Sequence, residues 1–420
     1  MISACRPSVP GRRCSACCGR CSRTRHPNRP EPGPSRDPAS WRPRHGTHPV
    51  RHLGRRRQRA PALGIATELH RRGHEVRFLG HEQQRRQIEN LGFRFTAFRR
   101  ARPWRSTTAH PGIRGLYAYL SVFTDPGPGI DLLDTVAAEP ADVVVTDCLL
   151  YGALAAAERA RLPRVTLVHT FYEFMEAGAR RGPAPVLARL KGQRPLRLWT
   201  SSDLVLVTTE RELDPAGRRR RDLPPAVHYT GVVPHRMPSA LTWVGEREPL
   251  ILVSLSSTNF RGQQQTLQRV LDALRGVPAR TVVTTGTSVD PTTLTAGPDA
   301  EIHGHLDHET ILPDATLVIG HGGHDTTMRA LAHDVPLIIL PMHPLLDQTM
   351  IGRTLDHRGA ARCLPKKAPP DRIRAAVDTL LADGPHRAAA AGLGTRIRSH
   401  DGSMAAADLI DHLPHRQVRR

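Results

Sequence analysis

Leu317-Val-Ile-Gly-His-Gly-Gly-His-Asp-Thr-Thr-Met-Arg-Ala-Leu-Ala-His-Asp334 is the most informative stretch of the chain. It reads as a short apolar strand, a turn on two glycines and a helical period. Glycine lets backbone approach a ligand closely, and a helix start presents N–H groups and positive dipole to an anion. His321 stands before the turn and Thr326 at the helix start, where both can add bonds to a phosphate. The competing reading is a plain strand–helix turn capped by Asp325 or Thr326.

Downstream comes Leu340-Pro-Met-His-Pro-Leu-Leu-Asp-Gln348, at the carboxyl end of the strand Pro336–Leu340. Ligands of open α/β sheets bind at such ends. Asp347 and Gln348 together offer acceptors and donors suited to sugar hydroxyls; alternatively, Asp347 only caps a helix over Gln348–His357. His303, His305, His308, His321, His324 and His343 invite a metal reading. A two-histidine helical spacing with a nearby carboxylate would be a stronger sign; His321 and His324 lie on a turn and nothing fixes a third ligand, so no metal is expected.

Working outward, buried strands and helices alternate on both sides of this segment. Asp142–Asp147, Arg164–His169, Leu250–Leu255 and Thr281–Thr285 are continuous apolar runs, not alternating ones. Runs of that kind mark parallel strands covered on both faces. The expected fold is therefore α/β, with two Rossmann-like, doubly wound domains facing a cleft. The first domain spans 61–240 and the second 241–400, with a final helix and tail over 401–420. Residues 98–130, rich in Gly and Pro, read as a loop-rich wall. The chain has no run of eighteen apolar residues, which excludes a classical membrane helix.

The formal net charge is +21, but residues 1–60 hold 15 arginines against 2 acidic residues. The body alone is far closer to balance. Five of the seven cysteines (Cys5, Cys14, Cys17, Cys18, Cys21) also lie in this leader. Cys148 and Cys363 in the body suit a reducing, cytoplasmic setting. The leader lacks any period and reads as disordered. Metal binding at its cysteines, nucleic-acid binding by its arginines and a targeting role compete with a bland tail.

A further reading concerns the frame. The body starts abruptly in a helix at Pro61, whereas an α/β domain opens with a strand. Read one base later, the codons for His45–Pro61 permit M-A-R-I-L-F-A-T-W-D-G-G-G-N-V-P-P. That is a start, a buried strand and a glycine-rich turn. The first strand of the first domain is thus expected to be corrupted or missing, and residues 1–60 out of frame or mis-started.

His321-Gly-Gly-His-Asp-Thr-Thr followed by Asp347-Gln348 resembles the nucleotide-sugar signature of the GT-B family 1 glycosyltransferases, of the actinobacterial antibiotic and macrolide type. The likeness runs over roughly residues 61–415 and includes Arg72-Gly-His-Glu-Val, Asp147 and Tyr229-Thr-Gly-Val. It implies that His321, Gly322, Gly323 and Thr326 hold the donor diphosphate and that Asp347 and Gln348 bind the sugar. Ser254, Gly286 and His305 would line the nucleotide pocket. Asp147 matches the acid that orients the family's catalytic histidine. That histidine's own place holds Gln58, and the shifted frame puts Asn there; neither amide is a normal general base.

The resemblance implies inverting transfer of a hexose from a UDP- or dTDP-sugar to a hydroxyl of a small hydrophobic acceptor. It implies no metal or other cofactor, no nucleic acid, no stable membrane insertion, and a monomer or homodimer. The alternative is a non-catalytic nucleotide-sugar-binding or auxiliary protein of the same fold.

Overall fold

The computed structural model describes residues 2–5, 59–102, 112–219, 223–233, 248–382 and 384–413. Two sheets organise it. The first contains β1 (Ile2–Cys5), β2 (Glu75–Gly80), β3 (Arg94–Ala97), β4 (Val143–Asp147), β5 (Arg164–Val168), β6 (Leu204–Val207) and β7 (Val227–Tyr229), in the order β3-β2-β1-β4-β5-β6-β7. The second contains β8 (Leu250–Ser254), β9 (Arg280–Thr284), β10 (Ala300–His303), β11 (Leu317–Gly320), β12 (Leu337–Ile339) and β13 (Ala361–Cys363), in the order β10-β9-β8-β11-β12-β13.

Every pairing in the second sheet is parallel. Its central strands are buried along their length because Val, Leu and Ile meet helices on both faces. The order reverses direction beside β8 and β11, which places the ends of Ser254 and Gly320 at a topological switch point.

The first sheet has one exception to the parallel rule. β1 runs antiparallel to both β2 and β4, with Ile2 opposite Phe78 and Val145. Within the stretch 1–60, expected to be a disordered leader, Ile2–Cys5 is a strand at the centre of the sheet. The opening strand of a doubly wound domain should instead run parallel and lead directly into the first helix. Here helix Arg59–Arg71 follows a stretch rich in arginine. Such residues are costly at a position covered on both faces, whereas Ile-Ser-Ala-Cys carries no charge. Residues 6–58, including Gln58 and the shifted-frame segment, lie outside the described residues, as does the expected boundary near 240.

The loop-rich reading of 98–130 is also corrected. Helices Gly112–Phe123 and Gly127–Ala138 occupy about half of it. The glycines there serve close helix packing. A Cβ on Gly129 would come within 2.5 Å of the Gly152 carbonyl oxygen in helix Tyr151–Arg159. Phe123 is buried with Tyr151 and Trp199 in the core beneath.

Helix Gly402–Asp411 returns to the first lobe. Ala406, Ala407 and Ile410 join a core with Leu63, Ile65 and Leu69 of helix Arg59–Arg71. Arg72 bridges this contact, reaching Asp408 at 2.6 Å and Asp411 at 2.9 Å. Among the described residues no helix is long and apolar enough to cross a membrane.

Candidate active site

Gly322 adopts a left-handed backbone (φ 81°) immediately after β11. Two obstacles explain why no larger residue fits: a Cβ would stand 2.8 Å from Ile339 Cγ2 and 2.9 Å from the Gln348 carbonyl oxygen. The chain then enters helix His324–Ala332, whose N-cap is Gly323. No side chain caps this end. The competing sequence reading, in which Asp325 or Thr326 caps the turn, is therefore not what the fold does. Asp325 is drawn along the helix to Arg329 at 3.0 Å, and Arg329 also meets Glu309 at 3.1 Å. The uncapped N–H groups and positive dipole are left for an anion.

His321 is buried beside the turn. Phe260 lies between it and His343, with ring centroids 6.3 Å from His321 and 6.1 Å from His343. His324, the first helical residue, is also buried, and Phe171 meets its ring edge-on at 6.1 Å. Burial, and then the charge of His169, push the His324 imidazole down to about 3, so it is neutral at physiological pH.

Asp347 holds the N-cap position of helix Gln348–His357 but makes no side-chain capping bond. Its carboxylate instead accepts a hydrogen bond from the Thr170 hydroxyl at 2.7 Å. Thr170 follows β5, so this bond joins the first sheet's carboxyl end to the start of helix Gln348–His357 in the second lobe. Gln348 is fully buried; its side-chain oxygen accepts from the backbone N–H groups of Met342 (2.6 Å) and His343 (3.1 Å). That fixes the loop after β12 and orients the carboxamide. The Gln348 Nε2 donors have no protein partner among the described residues.

The expected nucleotide pocket is partly assembled. Ser254 ends β8 between the ends of β9 and β11, in register with Thr284 and Gly320. Gly286 takes a left-handed turn (φ 68°) against Ser256 and Ser257. His305 is exposed, whereas His308 is the ring brought to the sheet, its Nε2 3.3 Å from Thr284 Oγ1. Burial lowers His308 to about 4, with the Arg329 charge acting in the same direction. None of the six histidines at 303–343 joins a cluster of three potential metal ligands among the described residues.

Asp147, at the end of β4, sits in a different cluster. Its Oδ2 lies 3.1 Å from His169 Nδ1, and its Oδ1 accepts from the Leu149 N–H at 2.8 Å. Burial opposes its ionisation, but the His169 charge, the hydrogen bond from that ring and the Leu149 N–H together hold it below the usual carboxylate range. Cys148 completes the group; burial and the Asp147 charge push its thiol well up, so it stays protonated.

The geometry agrees with what the sequence matches. Residues 268–403 match the C-terminal domain family named erythromycin biosynthesis protein CIII-like, and residues 58–232 match a glycosyl transferase 4-like domain. A 4'-demethylrebeccamycin synthase of Lentzea aerocolonigenes is 25% identical over 409 residues, covering 84% of this chain and 96% of that protein. The crystal structure of the kitacinnamycin glycotransferase superposes with a TM-score of 0.71 at 24% identity, over 84% of this chain and 96% of that one. The spinosyn rhamnosyltransferase SpnG, solved with thymidine diphosphate, superposes with a TM-score of 0.63 at 17% identity, over 84% and 96% of the two chains. The chain is a family 1 glycosyltransferase of the GT-B fold.

In this glycosyltransferase His321, Gly322, Gly323 and Thr326 lie on the turn after β11 and the first turn of the helix that follows, and Asp347 and Gln348 lie at the start of helix Gln348–His357. Thr170, Phe171 and His169 escaped the sequence reading. They form one run, His169-Thr-Phe171, after a β5 strand that was recognised. Their place beyond the carboxyl end of that strand was the available signal.

Proposed function

We propose that this glycosyltransferase moves a hexose from a UDP- or dTDP-sugar to a hydroxyl of a small hydrophobic acceptor, with inversion at the anomeric carbon. The supporting observation is the Thr170–Asp347 bond, which sets the sugar-binding acid between the two lobes. The donor diphosphate lies at the uncapped start of helix His324–Ala332, against His321 and Thr326. Asp347 and the Gln348 carboxamide hydrogens take the sugar hydroxyls. Ser254 and Gly286 line the base pocket, with His308 in place of His305 as the nearer ring.

In this reading the helix start and the His321 turn meet the charge that develops on the leaving diphosphate, so no metal is needed. The acceptor enters from the first lobe, over the ends of β4 and β5. Thymidine diphosphate in SpnG makes a dTDP-sugar the first donor to try. The test is calorimetric titration of UDP and dTDP, followed by donor turnover with EDTA present and a panel of phenolic and macrolide acceptors. The anomeric proton coupling of the product reports inversion. Failure of both nucleotides to bind would refute the reading.

A further inference from the structure

We propose that His169 is the general base of this chain, oriented by Asp147, and that it takes the acceptor hydroxyl's proton. The inference rests on the transferase reading above and goes beyond it by assigning the base. Three observations carry it.

The first is the pair itself. Asp147 and His169 come from the carboxyl ends of neighbouring parallel strands, β4 and β5, and their side chains meet at 3.1 Å. The Leu149 N–H at 2.8 Å holds the carboxylate from its other oxygen. A carboxylate beside Nδ1 favours the tautomer in which that nitrogen carries hydrogen and Nε2 carries the lone pair. The same charge steadies the imidazolium once a proton arrives.

The second is position. The next residue, Thr170, bonds Asp347, and the one after it, Phe171, packs on His324. The imidazole therefore stands one residue from the contact that fixes the proposed sugar subsite. The third is the sequence at the place where the resemblance puts the family's histidine. Gln58 occupies that place in the sequence and an amide takes no proton near neutral pH.

The step balances as a single displacement. The acceptor oxygen forms a bond to the anomeric carbon while its proton passes to His169 Nε2. The bond from that carbon to the diphosphate oxygen breaks, and its electron pair leaves with the nucleoside diphosphate. The imidazolium later returns its proton to solvent. Among the described residues the ionisable groups beside His169 are Asp147, Cys148 and His324; the thiol and the second imidazole are neutral at working pH, and the positive N-terminal amine also acts on Asp147.

The test uses the full chain and three variants, His169→Gln, His169→Ala and Asp147→Asn, with UDP and dTDP as binding probes. His169→Gln and His169→Ala should lower kcat by about 10²–10⁴-fold, the usual share of a general base, while nucleotide Kd stays within about threefold. Added imidazole should restore part of the His169→Ala rate, which a merely structural role would not allow. Asp147→Asn should lower kcat and displace its acidic limb without changing nucleotide Kd. Turnover by His169→Gln within threefold of the unaltered chain overturns the assignment and leaves the transferase reading standing. Nucleotide binding without any turnover by the unaltered chain overturns the assignment and the transferase reading together. Failure of the unaltered chain to bind either nucleotide removes the transferase reading itself, and the assignment with it.

Discussion

The Thr170 hydroxyl donates to Asp347 Oδ2 at 2.7 Å, across 177 positions of sequence. The acid that would otherwise cap its own helix is turned instead toward the opposite lobe. The position of this carboxylate therefore depends on both lobes being in place.

Two variants separate sugar from nucleotide at this contact. Asp347→Ala should leave affinity for free UDP or dTDP unchanged and weaken the sugar-bearing donor. The loss of hydrogen bonds to a charged group is worth about 1.5–3 kcal/mol. Thr170→Val should weaken the same donor by about 1 kcal/mol, the worth of one orienting bond. Calorimetry on nucleotide and nucleotide sugar side by side measures both. An equal loss for free nucleotide would place Asp347 at the base or phosphates instead.

His321→Ala should act on the other half of the donor. It removes a bond to phosphate worth about 1–3 kcal/mol and so lowers affinity for UDP and dTDP alike. Unchanged binding of both would take the turn after β11 out of the site.

Acid should destabilise the fold through its buried histidines. His324 is pushed down to about 3 and His308 to about 4, from an ordinary value near 6.5. Below 6.5 the unfolded chain takes up protons at these positions that the folded chain refuses. Their contribution is complete above pH 6.5 and is lost as the pH falls toward 4 and then 3. Urea midpoints at pH 8, 6 and 5 should fall in that order, and His324→Gln should flatten the slope. An equal slope in the variant would show that other groups govern the acid limb.

The antiparallel β1 predicts a dependence on the first residues. Deleting residues 1–44 should lower Tm by several degrees, because β2 and β4 lose the strand between them. Replacing residues 45–60 with the shifted-frame reading supplies a parallel strand leading straight into helix Arg59–Arg71. In that background the same deletion should leave Tm unchanged, and soluble yield and donor turnover should both rise. No gain in yield or turnover would mean that the written residues 45–60 suit the fold.

What could be read from the sequence followed a simple physical division. Continuous Val and Leu runs announced β4, β5, β8 and β11, since burial on both faces leaves an unmistakable composition. Gly322 and Gly323 announced the donor turn because close backbone approach demands them locally. Gly129 misled, because the same residue also serves where two helices touch, and only the partner's position tells the cases apart. Asp347 looked like a possible cap, and only the fold shows that its carboxylate turns to Thr170 instead. The Asp147–His169 pair is set by strand adjacency, which no spacing rule encodes. Ile2–Cys5 filled a gap that the disordered reading of the leader had left open.

Helix Gly402–Asp411 gives the chain an unusual order of assembly. Ala406, Ala407 and Ile410 complete the core around Leu63, Ile65 and Leu69, and Asp408 and Asp411 close over Arg72. Those residues are the last of the fold to be synthesised, while every strand of the second sheet precedes them. On the ribosome, the lobe that is translated first is therefore finished last. A nascent chain arrested at residue 400 should resist proteolysis over residues 250–381 and be cut within residues 59–100; the reverse pattern would show that the first lobe closes without its returning helix.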